Sequence, residues 1–287
     1  MSSLSRRAFL ERSAAGAAAA GILSAARGLR ANPLGLPIGS QTWPHRQRIR
    51  AGDLAGLCKD LAALGVGTVE LCSPGYPEFT GLADGKQTRK IIEDHGLKCP
   101  SAHFTMEEMR TKQEQMIAWA KDIGMTQMGV ASLADGPQGG KTTMDVVKRA
   151  ADEYNRIGET AAKAGLVQFL HDEEFEAAHV EGKLVYQLLI ELLDPKYVKF
   201  QYQMSAMPQV GDVVTYFTKY PGRFISMHLQ GVPQAEQPRA QIALGKDSVD
   251  WTKVFTAART GGVQNYFVEQ GWNATVQSVA FLKTLNV

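Results

Sequence analysis

Short apolar segments alternate with longer amphipathic segments from residue 36 to the end of the chain. The short segments have the length and apolar content of buried strands, and the longer ones have helical spacing. The predicted strands cover residues 36–41, 68–71, 97–103, 127–132, 166–171, 198–203, 224–229 and 265–269. The predicted helices cover residues 53–64, 87–95, 106–123, 144–164, 184–193, 211–220, 251–260 and 274–285. Strict alternation requires parallel strands joined by crossover helices, and eight such units in about 250 residues predict a closed (β/α)8 barrel.

An open, doubly wound sheet is the alternative fold. Its usual mark is a Gly-x-Gly-x-x-Gly turn after the first strand. Here the first predicted strand runs into Ser40, Gln41, Thr42 and Trp43, without that turn. Because no linker or low-complexity tract follows residue 31, we expect residues 32–287 to form a single barrel domain.

The first 31 residues differ from the rest of the chain. Arg6 and Arg7 precede an alanine-rich run over residues 14–20 and then a stretch of small residues. A basic start, a short apolar run and a small-residue exit are typical of an export signal, and this one resembles a twin-arginine signal. The run is too short to anchor the chain in a bilayer. We expect residues 1–31 to direct a folded protein to the periplasm; a disordered basic tail is the alternative interpretation.

Charge and composition narrow the classes of partner. Lys and Arg number 31 against 29 Asp and Glu, and the net charge is +2. Without a basic stripe, nucleic acid is not an expected partner. No run of about 18 apolar residues follows the signal, so no membrane span is expected. Cys58, Cys72 and Cys99 are predicted to be buried thiols, and a Cys72–Cys99 disulfide is left open.

Polar side chains recur at the C-terminal ends of the predicted strands, where a barrel of this type has its active site. Six of the eight strands end in a side chain that could bind a metal. In chain order, the strand ends carry Gln41 with Trp43, Glu70, His103, Ser132, His171 with Asp172 and Glu173, Gln203, His228 with Gln230, and Glu269 with Gln270. Unrelated surface residues would not fall repeatedly at this register.

Each of these residues also has an ordinary structural interpretation. His103 and His228 could be core histidines that satisfy backbone groups, and Glu70 could pair with an arginine. Glu269 is different, because it follows the apolar segment 266–268 and enters the barrel mouth from a buried strand. An unpaired carboxylate there would be costly. A cation or a hydrogen-bonded substrate would remove that cost.

Five stretches of the chain share a pattern with known proteins. They are Ile-Gly-Ser-Gln-Thr-Trp at 38–43, Gly-Val-Gly-Thr-Val-Glu-Leu at 65–71, Leu-His-Asp-Glu-Glu-Phe-Glu at 170–176, Lys-Tyr-Pro-Gly-Arg with Met-His-Leu-Gln within 219–230, and Val-Asp-Trp with Tyr-Phe-Val-Glu-Gln within 249–270. These stretches resemble the sugar phosphate isomerase/epimerase family, the xylose isomerase-like barrels. The resemblance extends over essentially everything after the signal, and its last two stretches are the most specific.

The resemblance implies one divalent cation, which the family commonly holds with Glu, Asp, His and Glu on strands five to eight. The matching positions here are His171, Gln203, His228 and Glu269. His171 replaces a glutamate and Gln203 replaces an aspartate. Because an amide is a weaker ligand than a carboxylate for hard cations, this set favours Mn, Fe, Co or Zn over Mg. The alternative is a site that has lost its metal.

The resemblance also implies the chemistry: removal of a proton next to a carbonyl of a keto-sugar or polyol. A cation stabilises the developing negative charge, and a nearby base takes the proton. Because the family's second carboxylate has become a histidine, the candidate catalytic residues are Glu269, His171 and Glu173. The candidate substrate-binding residues are Gln41, Trp43, Glu70, His103, Gln230 and Trp272. For Trp43, His103 and Trp272, packing at the barrel mouth is the alternative.

Three other functions remain open on the same residues. A lyase or hydrolase acting on a 3-keto-glycoside would use the same site. A non-catalytic carbohydrate-binding barrel is favoured by Gln203, since loss of a charged ligand is how a catalytic site decays. A DNA-repair endonuclease would need more metal ligands than six histidines provide here, and a basic face. The expected partner is therefore a small carbohydrate, with a homodimer left open.

Overall fold

The computed structural model describes residues 32–133, 142–172, 175–232 and 242–287. Eight parallel strands close into a barrel in the order β1-β8-β7-β6-β5-β4-β3-β2. The strands are β1 (Gly39–Gln41), β2 (Thr68–Cys72), β3 (Lys98–Phe104), β4 (Gln127–Val130), β5 (Val167–His171), β6 (Val198–Gln203), β7 (Phe224–Leu229) and β8 (Asn265–Val268). The predicted (β/α)8 barrel is confirmed. A separate antiparallel hairpin pairs His179–Val180 with Lys183–Leu184.

Helices surround the barrel and connect its strands. They are α1 (Arg46–Arg50), α2 (Leu54–Leu64), α3 (Gly85–Asp94), α4 (Met106–Thr111), α5 (Gln113–Ile123), α6 (Met144–Lys163), α7 (Val185–Leu192), α8 (Met207–Val210), α9 (Val213–Lys219), α10 (Trp251–Gly261) and α11 (Trp272–Leu282). Many begin at a side chain that caps the first backbone N–H groups, as Asp53 does for α2 and Asp250 for α10. Among the described residues, none of these helices is both long enough and apolar enough to span a bilayer.

The predicted helix over residues 106–123 is two helices. Lys112, between α4 and α5, has a φ of −140°, outside the helical range. Glu108 in α4 caps its own helix through Thr105 and also accepts a hydrogen bond from Ser73, whereas Gln113 in α5 donates to the Ile157 carbonyl of α6. These tertiary contacts orient the two halves separately. The apolar spacing along the chain does not encode them.

Two glycines allow large aromatic side chains to fill the inside of the barrel. A Cβ at Gly129 in β4 would collide with the ring and carbonyl of Phe169 in β5, and one at Gly39 in β1 would collide with the ring of Phe267 in β8. Both phenylalanines are fully buried. Phe169 packs edge-on against His103, and Phe267 packs edge-on against His228. The aromatic filling of the barrel therefore supports histidines at its C-terminal end.

The three cysteines are buried and form no disulfide. Cys72 and Cys99 are not joined, so the disulfide left open by the sequence is not formed in the structure. Sγ of Cys99 donates to the Ser101 carbonyl at 3.3 Å. Burial raises the pKa of the Cys58 thiol to about 12, and burial also raises the pKa of Cys99. A thiol with a raised pKa is a poor nucleophile and a poor metal ligand at neutral pH.

Candidate active site at the C-terminal end of the barrel

The four residues expected to hold a metal lie together. His171 ends β5, Gln203 ends β6, His228 lies near the end of β7, and Glu269 directly follows β8. The His171 and His228 ring centroids are 4.6 Å apart. Nδ1 of His228 lies 3.3 Å from Oε2 of Glu269. Closure of the parallel barrel thus brings residues almost a hundred positions apart in the chain to one point.

The Glu269 carboxylate is held by three partners on one oxygen. Oε2 accepts hydrogen bonds from the side-chain amides of Gln203 and Gln230, each at 2.7 Å, and faces His228. Burial alone would raise the pKa of Glu269, but the charge of His228 and the hydrogen bonds from His228 and Gln203 outweigh burial and lower the pKa. The side chain is 12% exposed, so the ionised carboxylate remains reachable from the barrel mouth.

A second carboxylate, Glu70, lies fully buried in the barrel interior. Oε1 is 2.5 Å from Nε2 of His228 and 3.2 Å from Nε2 of His103. Oε2 accepts hydrogen bonds from Ser101 at 2.5 Å and from Gln201 at 2.9 Å. Burial alone would raise the pKa of Glu70, but His103 and His228 outweigh it and hold the pKa well below its usual range. The sequence predicts Glu70 as a substrate-binding residue; in the structure its side chain is fully buried and contacts His228 and His103.

His228 therefore lies between two carboxylates. Burial alone would lower its pKa, but the charges of Glu269 and Glu70 and their hydrogen bonds outweigh burial and raise the pKa to about 10. His228 and His103 are stacked, with ring centroids 5.2 Å apart and planes within 9°. His103 also places Nε2 at 2.7 Å from Oε1 of Gln201. The site thus contains a connected set of side chains from β2, β3, β6, β7 and the end of β8.

The donor groups of this site suit a divalent transition metal. Burial, with the nearby charges of His228 and His103, holds the pKa of His171 well below its usual range, so that its imidazole is neutral. Nδ1 of His171 and Oε1 of Gln203 are buried and have no hydrogen-bond partner within the described residues. Nitrogen atoms of His103, His171 and His228 lie within 4.8 Å of one another. Imidazole, carboxylate and amide oxygen together fit Mn, Fe, Co or Zn, with His103 as an additional candidate ligand.

The other candidate residues have different surroundings. Gln41 is buried, and its Oε1 accepts the Trp43 N–H, so its side chain holds the turn after β1. Trp43 is built into an aromatic cluster, with Arg46 4.6 Å from its ring centroid and Phe79 parallel to it at 6.2 Å. Trp272 opens α11 and packs edge-on against His45. Glu173 lies outside the described residues.

Sequence reasoning missed the inner layer of the site. Ser101, Gln201 and Ser226 hydrogen-bond with one another or with Glu70, and all three are fully buried. Each lies two positions before a strand-end residue, namely His103, Gln203 and His228. Because side chains two apart on a strand point to the same face, this spacing was a usable signal.

His45, also missed, contributes a pH dependence of stability. It is only 6% exposed, and burial, with the charge of Arg48, lowers its pKa from 6.5 to about 4. Between these values the unfolded chain binds the proton that the folded protein excludes, so stability falls as the pH drops from 6.5 to 4. The free energy of unfolding should fall in both proteins between pH 7 and pH 4. We expect the fall to be roughly 1–3 kcal/mol smaller in His45→Phe than in the wild type. Urea titrations at both pH values measure this difference; equal losses would contradict it.

Comparisons with known proteins give the fold. No family model matches the sequence, and no curated protein matches it significantly. A sugar phosphate isomerase/epimerase from Parabacteroides distasonis has a TM-score of 0.72 at 22% identity, over 87% of this chain and 96% of that one. A structure of L-ribulose 3-epimerase has a TM-score of 0.65 at 16% identity, over 87% and 91%. The chain has the xylose isomerase-like barrel fold.

The same fold also occurs in a protein of another kind. An AP endonuclease of family 2 from Brucella melitensis has a TM-score of 0.61 at 12% identity, over 88% of this chain and 100% of that one. At such identities the likeness extends to the backbone fold and not to the chemistry. Function must therefore be argued from the side chains at the C-terminal end of this barrel.

Proposed function

We propose that this protein is a metal-assisted isomerase or epimerase that removes a proton from the carbon next to a carbonyl of a keto-sugar or related polyol. The observation that carries this proposal is the convergence of His171, His228 and Glu269 at the C-terminal end of the barrel. An ionised carboxylate reachable from the mouth, beside a neutral imidazole, provides a base and a metal-binding group in one place.

Glu269 is the proposed base. Gln203, Gln230 and His228 all contact Oε2, so this oxygen is held in place and Oε1 is the one proposed to take the proton from carbon. An isomerase returns that proton to the neighbouring carbon. An epimerase delivers a proton to the opposite face of the same carbon, and this requires a second group, for which His171 and Glu173 are the candidates.

His171, Gln203, His228 and Glu269 are the residues that would hold the cation. When bound, a divalent cation would stabilise the negative charge that develops on the carbonyl oxygen as the proton leaves. The chain's own part is to supply a neutral imidazole at His171 and a carboxylate kept ionised at Glu269. Gln230, which touches Glu269, is proposed to keep this carboxylate oriented toward the substrate.

A non-catalytic carbohydrate-binding barrel is the second candidate. One observation favours it: the Gln203 amide donates directly to Glu269, so the buried carboxylate has hydrogen-bond partners without any cation. A lyase acting on a 3-keto-glycoside would begin with the same proton removal. We further propose that residues 1–31 export the folded protein to the periplasm, so that free or oxidised sugars are its substrates.

Proton exchange tests the proposal directly. Full-length protein would be incubated in D2O with Mn²⁺, Co²⁺ or Zn²⁺ and a panel of free ketopentoses, ketohexoses and 3-keto-glycosides, and NMR would follow loss of the C–H signal next to the carbonyl. We expect exchange with at least one sugar, and a fall of about 100-fold or more after chelation, because several kcal/mol of charge stabilisation are lost. Reloading with the metal should restore the rate.

The remaining outcomes separate the candidates. Sugar binding without exchange, in a protein that takes up no metal, would support the carbohydrate-binding barrel and overturn the isomerase proposal. Exchange that continues undiminished after chelation would support the proposed base and contradict the proposed role of the metal. Release of an aglycone only from 3-keto-glycosides would identify the lyase.

A further inference from the structure

Three hydrogen-bond donors converge on the two carboxylate oxygens of Glu70, and a fourth group, the His103 ring, lies beside them. His228 and His103 approach Oε1, whereas Ser101 and Gln201 donate to Oε2. Glu70 is fully buried, so water does not replace any of these partners. An ionised carboxylate is the side chain that only accepts hydrogen bonds, and it can accept all three while it faces the His103 ring. The arrangement therefore requires glutamate at this position rather than a polar residue in general.

The contact with His228 determines which ring nitrogen faces the site. Because an ionised carboxylate cannot donate, Nε2 of His228 must carry the proton in the 2.5 Å contact with Glu70. The opposite nitrogen, Nδ1, is then the atom that faces Glu269, at 3.3 Å. A carboxylate that holds one imidazole nitrogen leaves the other nitrogen aimed at a ligand, and this arrangement sets both ring orientation and basicity.

Gln201 extends this control to His103. Its Nε2 donates to both Glu70 and Ser226, which leaves Oε1 as the acceptor for Nε2 of His103 at 2.7 Å. Since the amide can present its oxygen on one side only, the orientation of Gln201 follows from the charge on Glu70. The stacked rings of His103 and His228 are thus oriented by one buried carboxylate.

We propose that Glu70 is a positioning residue that acts through His228: its contact with Nε2 holds the ring so that Nδ1 is directed toward Glu269 and the metal-binding groups. The inference rests on the proposed function only for the role of Nδ1 as a metal ligand. The orientation of the ring follows from the contacts of Glu70 alone. Glu70 does not touch the substrate in this proposal.

Glu70→Gln tests the proposal, because its amide must turn an NH2 group toward one pair of donors. We expect the affinity for Zn²⁺, measured by competition with a chelator, to fall about 10- to 100-fold. In Zn²⁺-loaded wild type, two-bond 1H–15N NMR of the histidine rings should show His228 protonated at Nε2 only. The variant should show a different or mixed pattern. Wild-type affinity together with a wild-type His228 pattern would overturn the proposal.

Two further variants separate positioning from folding. Glu108→Gln is the matched control: Glu108 is a buried carboxylate whose hydrogen bonds, among the described residues, go to Ser73 and Thr105 and not to a histidine ring, so Zn²⁺ affinity should stay within about twofold of wild type. The double variant Glu70→Gln/Gln201→Glu exchanges amide and carboxylate across their hydrogen bond. Compared with Glu70→Gln, the double variant should regain thermal stability but not Zn²⁺ affinity. Recovery of both would show that Glu70 is only structural.

The proposed function and this inference can fail separately. If wild-type protein binds no metal, the metal-free protein still tests the ring orientation. Its His228 Hε2 proton, in a short hydrogen bond to Glu70, should give a strongly downfield NMR signal that disappears in Glu70→Gln. If that signal is absent from wild type, the inference fails whatever the protein does to sugars.

Discussion

Replacement of Glu269 by glutamine should lower turnover about 10²- to 10⁴-fold while the barrel stays folded. Glutamine keeps the length of the side chain and an oxygen that can accept from the amides of Gln203 and Gln230. It cannot take a proton from carbon. Steady-state kinetics with the sugar identified by deuterium exchange measures the loss, and thermal unfolding verifies the fold.

A graded substitution makes the Glu269 experiment sharper. Glu269→Asp keeps a carboxylate but shortens the side chain by one methylene, so its turnover should lie between those of the wild type and Glu269→Gln. Glu108→Gln removes a buried carboxylate whose hydrogen bonds go to Ser73 and Thr105 and not to the histidine rings, and it should leave turnover near wild type. If Glu269→Gln retains turnover within about threefold of wild type, Glu269 is not the base.

His228→Ala should lower the free energy of unfolding by about 3–5 kcal/mol at neutral pH. His228 lies between Glu70 and Glu269, and its raised pKa of about 10 reflects both carboxylates. Removing the imidazole leaves two ionised, largely buried carboxylates without their shared cationic partner. Urea unfolding monitored by circular dichroism measures the change.

A second substitution tests the reason for that loss. In His228→Ala/Glu70→Gln one of the two unpaired charges is removed, so part of the lost stability should return, and the double-mutant cycle should show coupling. His179→Ala in the exposed part of the hairpin is the control and should change stability by less than about 0.5 kcal/mol. A loss below about 1 kcal/mol for His228→Ala would mean that the pair of carboxylates does not depend on this imidazole.

The sequence predicted the architecture well because the signals involved are local. All eight strands were predicted near their observed positions, and Val198–Gln203 and Phe224–Leu229 were predicted with the observed bounds. The first strand begins at Gly39 rather than residue 36, since Pro37 has no N–H to donate to a neighbouring strand. The fourth ends at Val130 rather than residue 132. Such end effects depend on the neighbouring strand and not on the segment itself.

The candidate site was also predictable only in part. His171, Gln203, His228 and Glu269 could be grouped from the sequence because strand ends of a parallel barrel share one rim. The direction of each contact could not be predicted from the sequence. Gln203 donates its amide N–H to Glu269, and Glu70 lies beneath the rim among His103, Ser101 and Gln201.

The sequence by itself determined the eight alternating units and the polar residues that end their strands, because periodicity and turn residues act over a few positions along the chain. Only the tertiary structure decided which side chains meet across the barrel. Partners such as Glu70 and His228 are 158 positions apart, and their contact depends on how closure of the barrel staggers β2 against β7. The buried charged groups of this site reach their partners because of that stagger. No short-range pattern in the sequence encodes it.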